Sequence, residues 1–131
     1  MKKGCVILAD SHQNLLEGIR GLLETMFETV VMVADKKSLF EAADKLKLKL
    51  AIVDLSLPVS GQVNVAREFK SRYPELKFII LSVNDEPEAV SEVMSAGASA
   101  FVLKRSIATD LFPAVRATLK GRTYISPSLE V

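Results

Sequence analysis

The feature that most constrains this chain is a set of five short apolar runs recurring at regular intervals, over residues 5–9, 29–34, 50–53, 78–83 and 100–103. Each is rich in Val, Ile, Leu or Phe, and none alternates apolar with polar residues. A strand with one face in water alternates, whereas a strand buried on both faces does not. The runs therefore read as strands of a sheet covered on each side. Between them apolar residues fall at helical spacing: Leu15, Ile19, Leu22 and Met26; Leu39, Ala43 and Leu46; Val65, Phe69 and Tyr73; Val90, Val93 and Gly97; Leu111, Val115 and Leu119. Ser38 is placed to cap the second helix, Pro87 to open the fourth, and Gly97 and Gly121 to close the fourth and fifth. Pro113 suits the fifth helix near its start, with Thr109 as the cap.

Five strand–helix repeats imply parallel strands joined by crossover helices on both faces. A closed eight-fold barrel needs roughly 250 residues, and this chain has 131. What remains is an α/β fold with an open, doubly wound, five-stranded parallel sheet, flavodoxin-like (βα)5, with strand order 2-1-3-4-5. The length suits one domain, and 49% hydrophobic residues supply one real core. We place that domain at residues 1–121 and read 122–131, which carries Pro127 and two serines, as a C-terminal tail.

Composition removes several function classes. Seventeen Lys and Arg against sixteen Asp and Glu leave a net charge of +1, without the excess of a nucleic-acid binder. The single Cys5 forms no disulfide within the chain, reads as a buried apolar filler, and fits a reducing compartment. No run approaches the roughly 18 apolar residues of a membrane span. The first apolar run stops at Asp10 after five residues, too short for a signal-peptide core. A cytoplasmic protein with no membrane partner is the resulting expectation.

In open α/β sheets, ligands bind beyond the carboxyl ends of the strands. Strand one ends in Ala9-Asp10-Ser11-His12 and strand three in Val53-Asp54-Leu55-Ser56-Leu57-Pro58. Strand four ends in Leu81-Ser82-Val83-Asn84 and strand five in Val102-Leu103-Lys104. Strands one and three flank the switch point, so Asp10 and Asp54 should face each other there. Two carboxylates, the Ser82 hydroxyl and the Lys104 ammonium then meet at one edge. A hard cation such as Mg²⁺ relieves carboxylate repulsion while keeping several waters, and commonly serves to engage a phosphoryl group. An aspartate is itself a nucleophile for phosphoryl transfer. Lys104 and Ser82 are suited to neutralise and hydrogen-bond the phosphoryl oxygens.

The segments Ile7-Leu8-Ala9-Asp10, Val53-Asp54-Leu55-Ser56-Leu57-Pro58, Leu81-Ser82, Gly97-Ala98 and Phe101-Val102-Leu103-Lys104 occur in this order. Together they resemble a response-regulator receiver domain of two-component signalling over nearly the whole chain. Residues 114–127 are most similar to the NarL/LuxR type, in its last receiver helix and the start of its linker. The resemblance implies Asp54 as phosphoacceptor, Asp10 in the acidic pocket for Mg²⁺, and the Ser56 backbone carbonyl as a further metal ligand. It also implies Ser82 as the switch hydroxyl, Phe101 as the switch aromatic and Lys104 as the phosphoryl-binding ammonium. A histidine kinase would be the donor, and a homodimer is a further implied partner. Transcription would be controlled through a DNA-binding output domain absent from this chain. Such a module is no enzyme beyond accepting the phosphoryl group and slowly losing it.

Four positions depart from that pattern. Ser11 stands where most members have a second acid that touches the metal, which leaves Ser11 as a weak, neutral ligand at best. Arg105 stands where many have a cis proline; a non-proline cis bond costs roughly 2.5–4 kcal/mol, so this bond is expected trans. Val83 is bulkier than the usual small residue and is expected to narrow access to Asp54. The loop Val59-Ser60-Gly61-Gln62 lacks an acid before its glycine.

Plainer readings stand beside these. Asp10 suits a helix N-cap, Ser82 a backbone-bonded turn, Phe101 plain core, and the lone His12 a helix start. Lys36, Lys37, Lys45, Lys47 and Lys49 read as a solvated face, and Asp85, Glu86, Glu88 and Glu92 as complements to a helix dipole. Ser11 keeps open a pseudo-receiver that binds proteins without phosphoryl chemistry. A dinucleotide or flavin enzyme is disfavoured because Ser11-His12-Gln13-Asn14 has no glycine fingerprint. A dehalogenase-like phosphatase would need a second aspartate where Ser56 stands.

Overall fold

Each non-alternating run is a strand whose successive side chains feed opposite layers of core. The structure, a computed structural model, describes residues 3–11, 13–57 and 65–127, the side chains of 13–17 excepted. His12, Pro58, the loop over 59–62 and the Leu15 side chain therefore lie outside the described residues. The elements run β1 (Cys5–Ala9), α1 (Gln13–Glu24), β2 (Thr29–Val33), α2 (Lys36–Lys45), β3 (Leu48–Asp54) and α3 (Val65–Arg72). They continue through β4 (Phe78–Ser82), α4 (Pro87–Ser95), β5 (Ala100–Leu103), a 3₁₀ turn (Lys104–Ser106), α5 (Ile107–Leu119) and β6 (Tyr124–Ile125).

All pairings are parallel, in the order β2-β1-β3-β4-β5-β6. Val6, Leu8, Leu50, Ile52, Ile79, Leu81 and Val102 pack on one side with Ile19 and Leu23 of α1 and Leu111 and Val115 of α5. Ile7, Val53, Phe78, Ile80, Phe101 and Leu103 pack on the other with Leu39 of α2, Phe69 of α3, and Val90 and Val93 of α4. This is the doubly wound arrangement, and it accounts for the lack of alternation. Burying each such side chain contributes about 1.5–3 kcal/mol. Register fixes the working edge: Ala9 lies opposite Val53, Asp54 opposite Leu81, and Ser82 opposite Leu103.

Several boundaries differ from the sequence reading. The sheet has a sixth strand, because Tyr124 and Ile125 pair with Ala100 and Phe101; the start of the supposed tail belongs to the sheet. The cap of α2 is Asp35, whose carboxylate accepts the Ser38 backbone N–H at 2.7 Å, so Ser38 lies inside the first turn. Helix α5 begins at Ile107, not after Thr109, and Pro113 lies in its interior. An interior proline costs about 3 kcal/mol; burial of Ile107, Leu111, Ala114 and Val115 on this helix offsets it. Met26, Leu46 and Tyr73 lie just past the ends of α1, α2 and α3. Cys5 is half-buried, and burial pushes its thiol up from the ordinary range. Lys36 leaves the solvated face to pair with Glu68 of α3 at 3.3 Å.

Other punctuation is as read. Pro87 opens α4. Gly97 follows it at φ +110°, a backbone conformation that residues with a Cβ rarely adopt. Gly121, at φ +78°, closes α5.

Candidate functional site

Parallel register and strand ends of equal height bring three charged side chains together beyond the sheet edge. Asp10 follows β1, Asp54 ends β3 and Lys104 follows β5. The Lys104 Nζ lies 3.0 Å from Asp10 Oδ2 and 3.0 Å from Asp54 Oδ2. Both aspartates are buried, at 0% and 1% exposure. The Lys104 side chain is itself only 9% exposed. Burying ions costs several kcal/mol each unless the geometry repays it. Two buried carboxylates sharing one ammonium is therefore weak evidence for stability and marks a candidate functional site.

Asp54 is held from beneath by its own turn. Its Oδ1 accepts the Ser56 backbone N–H at 2.9 Å, and the Ser56 hydroxyl lies 2.9 Å from each carboxylate oxygen. This is an Asx-type turn, and it fixes the carboxylate plane while Lys104 approaches Oδ2. The Ser56 hydroxyl contact was not foreseen, since the sequence pointed only to its carbonyl. An aspartate two residues before a serine is the local signal for it.

The remaining positions fall as follows. Ser82 is buried at the end of β4, where its Oγ accepts the Asn84 N–H at 2.9 Å and lies 3.4 Å from the Asn84 carbonyl. Its hydroxyl thus makes the backbone-bonded turn in this state. Phe101 is fully buried in the α2–α4 layer, so its ring already points inward. Ser11 is exposed beside Asp10. Val83 is 74% exposed just past the end of β4. Arg105 follows in a trans peptide, there being no cis bond among the described residues, and pairs with Asp85 at 3.4 Å on the surface.

The site fits a small hard cation. Both carboxylates converge on a single positive charge, and oxygen donors with retained water are what Mg²⁺ takes. Among the described residues no group of three or more His, Cys, Asp or Glu side chains is gathered to hold a metal. A metal here would rest on Asp10, Asp54, backbone oxygen such as the Ser56 carbonyl, and water.

Comparison with known proteins identifies the family. The family model for the response regulator receiver domain matches residues 6–116. The chain belongs to the response-regulator receiver domain family. It is 31% identical over 126 residues to the transcriptional regulatory protein DegU of Brevibacillus brevis, covering 95% of this chain and 53% of DegU. It is 33% identical over 130 residues to the transcriptional regulatory protein RcsB of Escherichia coli strain K12, covering 95% of this chain and 60% of RcsB. The receiver domain thus spans little more than half the length of these relatives.

Solved receiver domains agree. The isolated receiver domain of RcsB from Salmonella enterica serovar Typhimurium, with the phosphomimetic BeF₃⁻, superposes at a TM-score of 0.84 and 32% identity. That match covers 95% of this chain and 94% of the other. The non-phosphorylated receiver domain of RcsB from Escherichia coli gives 0.84 and 31% identity, with 95% and 99% coverage. Equal scores against both forms mean that the likeness reports the fold and not the signalling state. This chain is a receiver domain of the RcsB and DegU type, from two-component response regulators.

Proposed function

We propose that Asp54 accepts a phosphoryl group in a Mg²⁺-assisted reaction and that the domain thereby switches an interaction surface. The observation that carries this reading is the Lys104 ammonium at 3.0 Å from both Asp10 and Asp54. In the reaction a carboxylate oxygen of Asp54 attacks phosphorus, and the donor's leaving group departs with the electron pair of the broken bond. Ser56 holds the carboxylate plane through its N–H and hydroxyl. Lys104 loosens from Asp54 and follows the charge onto the phosphoryl oxygens, where a preorganised ammonium in a dry site stabilises the transition state most. Ser82 exchanges its Asn84 partner for a phosphoryl oxygen. Asp10, Asp54 and the Ser56 carbonyl would hold Mg²⁺, which would supply positive charge to offset that of the transferring phosphoryl group.

A histidine kinase is the natural donor for such a site. RcsB has been solved as dimers bound to DNA; by analogy the present domain would pair with a second copy and act on DNA through an output domain. Transcription control in the cytoplasm follows from that reading.

Incubation with acetyl phosphate and Mg²⁺, followed by intact mass, tests the proposal. One phosphoryl mass is expected on the natural chain and none on Asp54→Asn, which keeps its fold by circular dichroism. Persistence of the adduct in the variant removes Asp54 from the role. Ser11, in place of the second acid, favours a second reading, a pseudo-receiver that binds partners without phosphoryl chemistry. No adduct on the natural chain supports it.

A further inference from the structure

The residues beyond α5 reach the site through the backbone of β5. In a parallel ladder the N–H groups of each strand meet acceptors on its neighbour at even spacing. β6 keeps that rhythm: the Tyr124 N–H donates to the Ser99 carbonyl at 3.1 Å and the Ser126 N–H to the Phe101 carbonyl at 3.0 Å. The next step of the ladder requires an acceptor for the Leu103 N–H. The Ser126 hydroxyl oxygen takes it at 3.0 Å, standing in for a backbone carbonyl. Ser126 is fully buried, so water is excluded as a substitute and the Leu103 N–H depends on this one oxygen. Pro127 follows directly, and a residue before proline is held extended, which keeps Ser126 alongside β5. The start of β6 is tied to α5, where the Tyr124 hydroxyl bonds Asp110 at 3.3 Å.

Leu103 is the last residue of β5, and Lys104 opens the 3₁₀ turn that follows. The strand end that Ser126 fixes is therefore one residue from the ammonium that bridges Asp10 and Asp54.

We infer that Ser126 is a positioning residue of the acceptor site, holding the end of β5 so that Lys104 stands between the two aspartates. Ser126 touches neither carboxylate and acts only through Leu103. The inference rests on the reading of Asp54 as acceptor for its kinetic consequence, but its structural core, the placement of Lys104, does not. It also makes residues 124–126 part of the working site rather than the start of a passive tail.

The test uses the full chain with Ser126→Ala and Ser126→Cys, the latter nearly isosteric but a poor acceptor. The first readout needs no phosphodonor: hydrogen exchange of the Lys104 ammonium by nitrogen-15 NMR. Natural Lys104, buried between two carboxylates, is expected to exchange slowly, and both variants to accelerate exchange at least about tenfold as the pocket opens locally. The second readout is Asp54 modification by acetyl phosphate. The saturating rate is expected to fall about tenfold, the cost of a misplaced group, with the half-saturating donor concentration unchanged. The third places Ser126→Ala in a Lys104→Ala background, where no further loss is expected because the residue it acts through is gone. Natural ammonium exchange in a folded variant overturns the inference, as does an equal further loss in the Lys104→Ala background. If the natural chain takes no phosphoryl group, the acceptor reading falls, and the ammonium exchange alone still decides for or against Ser126.

Discussion

On the proposed reading, Ser11 is the residue on which the chemistry of the pocket would turn. Most receiver domains carry an acid there, and its loss removes one full negative charge from the neighbourhood of the metal. For charges about 4 Å apart at an effective dielectric near 20, that is worth about 4 kcal/mol before hydration is repaid. Water retained by Mg²⁺ offsets much of the difference. Ser11→Asp should therefore tighten Mg²⁺ at least about tenfold and speed modification of Asp54. It should also lower the stability of the metal-free form, since a third carboxylate would crowd the one ammonium that Asp10 and Asp54 already share. Calorimetric titration of both forms with Mg²⁺ checks this; equal affinities would show that the serine pocket is not impaired. Binding seen only in the variant would favour the pseudo-receiver. At this scale the charged triad was legible, because position at a strand's carboxyl end is set by topology. The Ser56 and Ser126 hydroxyl bonds were not, because they depend on side-chain rotamers and on a ladder whose last strand has only two residues.

Elements were legible where burial sets them and less so where polar contacts set their ends. Ser38 reads as the start of α2, yet the cap lies three residues earlier at Asp35, whose carboxylate accepts the Ser38 N–H. That bond has a pH signature. The Ser38 backbone N–H, then its hydroxyl, holds the Asp35 carboxyl below the usual carboxylate range, with Lys37 adding to it. A carboxyl lowered in the folded state stabilises the fold above its unfolded pKa of about 3.9, and that stabilisation is lost as pH falls through the lower folded value. Asp35→Ala should thus unfold at lower urea than the natural chain at pH 7, the gap closing as pH drops below about 4. A gap that stays constant down to pH 3 would remove the charged cap from the account. Helix α5 shows the opposite failure. Proline marked its start in the sequence, yet the apolar Ile107 and Leu111 draw the chain into the core and extend the helix upstream of Thr109. β6 escaped notice because two residues between Gly121 and Pro127 offer no periodicity to read.

Across the whole molecule, the site edge and the α4 side of the sheet share one layer of core, and on the proposed reading that layer is the route by which a signal would leave Asp54. Phe101 lies in it, fully buried with Val90 and Val93 of α4. A switch that works by turning this ring inward has nothing to move here. The group free to exchange partners is Ser82, whose hydroxyl is committed to the Asn84 turn. Pulling it to a phosphoryl oxygen must unmake that turn and displace the start of α4. The Asp85–Arg105 pair across the same edge is more than half exposed on both sides, and exposed pairs are worth 0–1 kcal/mol, about the scale of thermal energy, so it offers little resistance. The change is a population shift, as large as the difference in phosphoryl contacts between the two states. Amide shift changes on modification with BeF₃⁻ should therefore concentrate at residues 82–105, strongest at 82–86, while the Phe101 ring resonances move little. Changes confined to the turns after Asp10 and Asp54 would show that the phosphoryl group is held without being transmitted. Large movement of the Phe101 ring would show that the inward position is not its resting one.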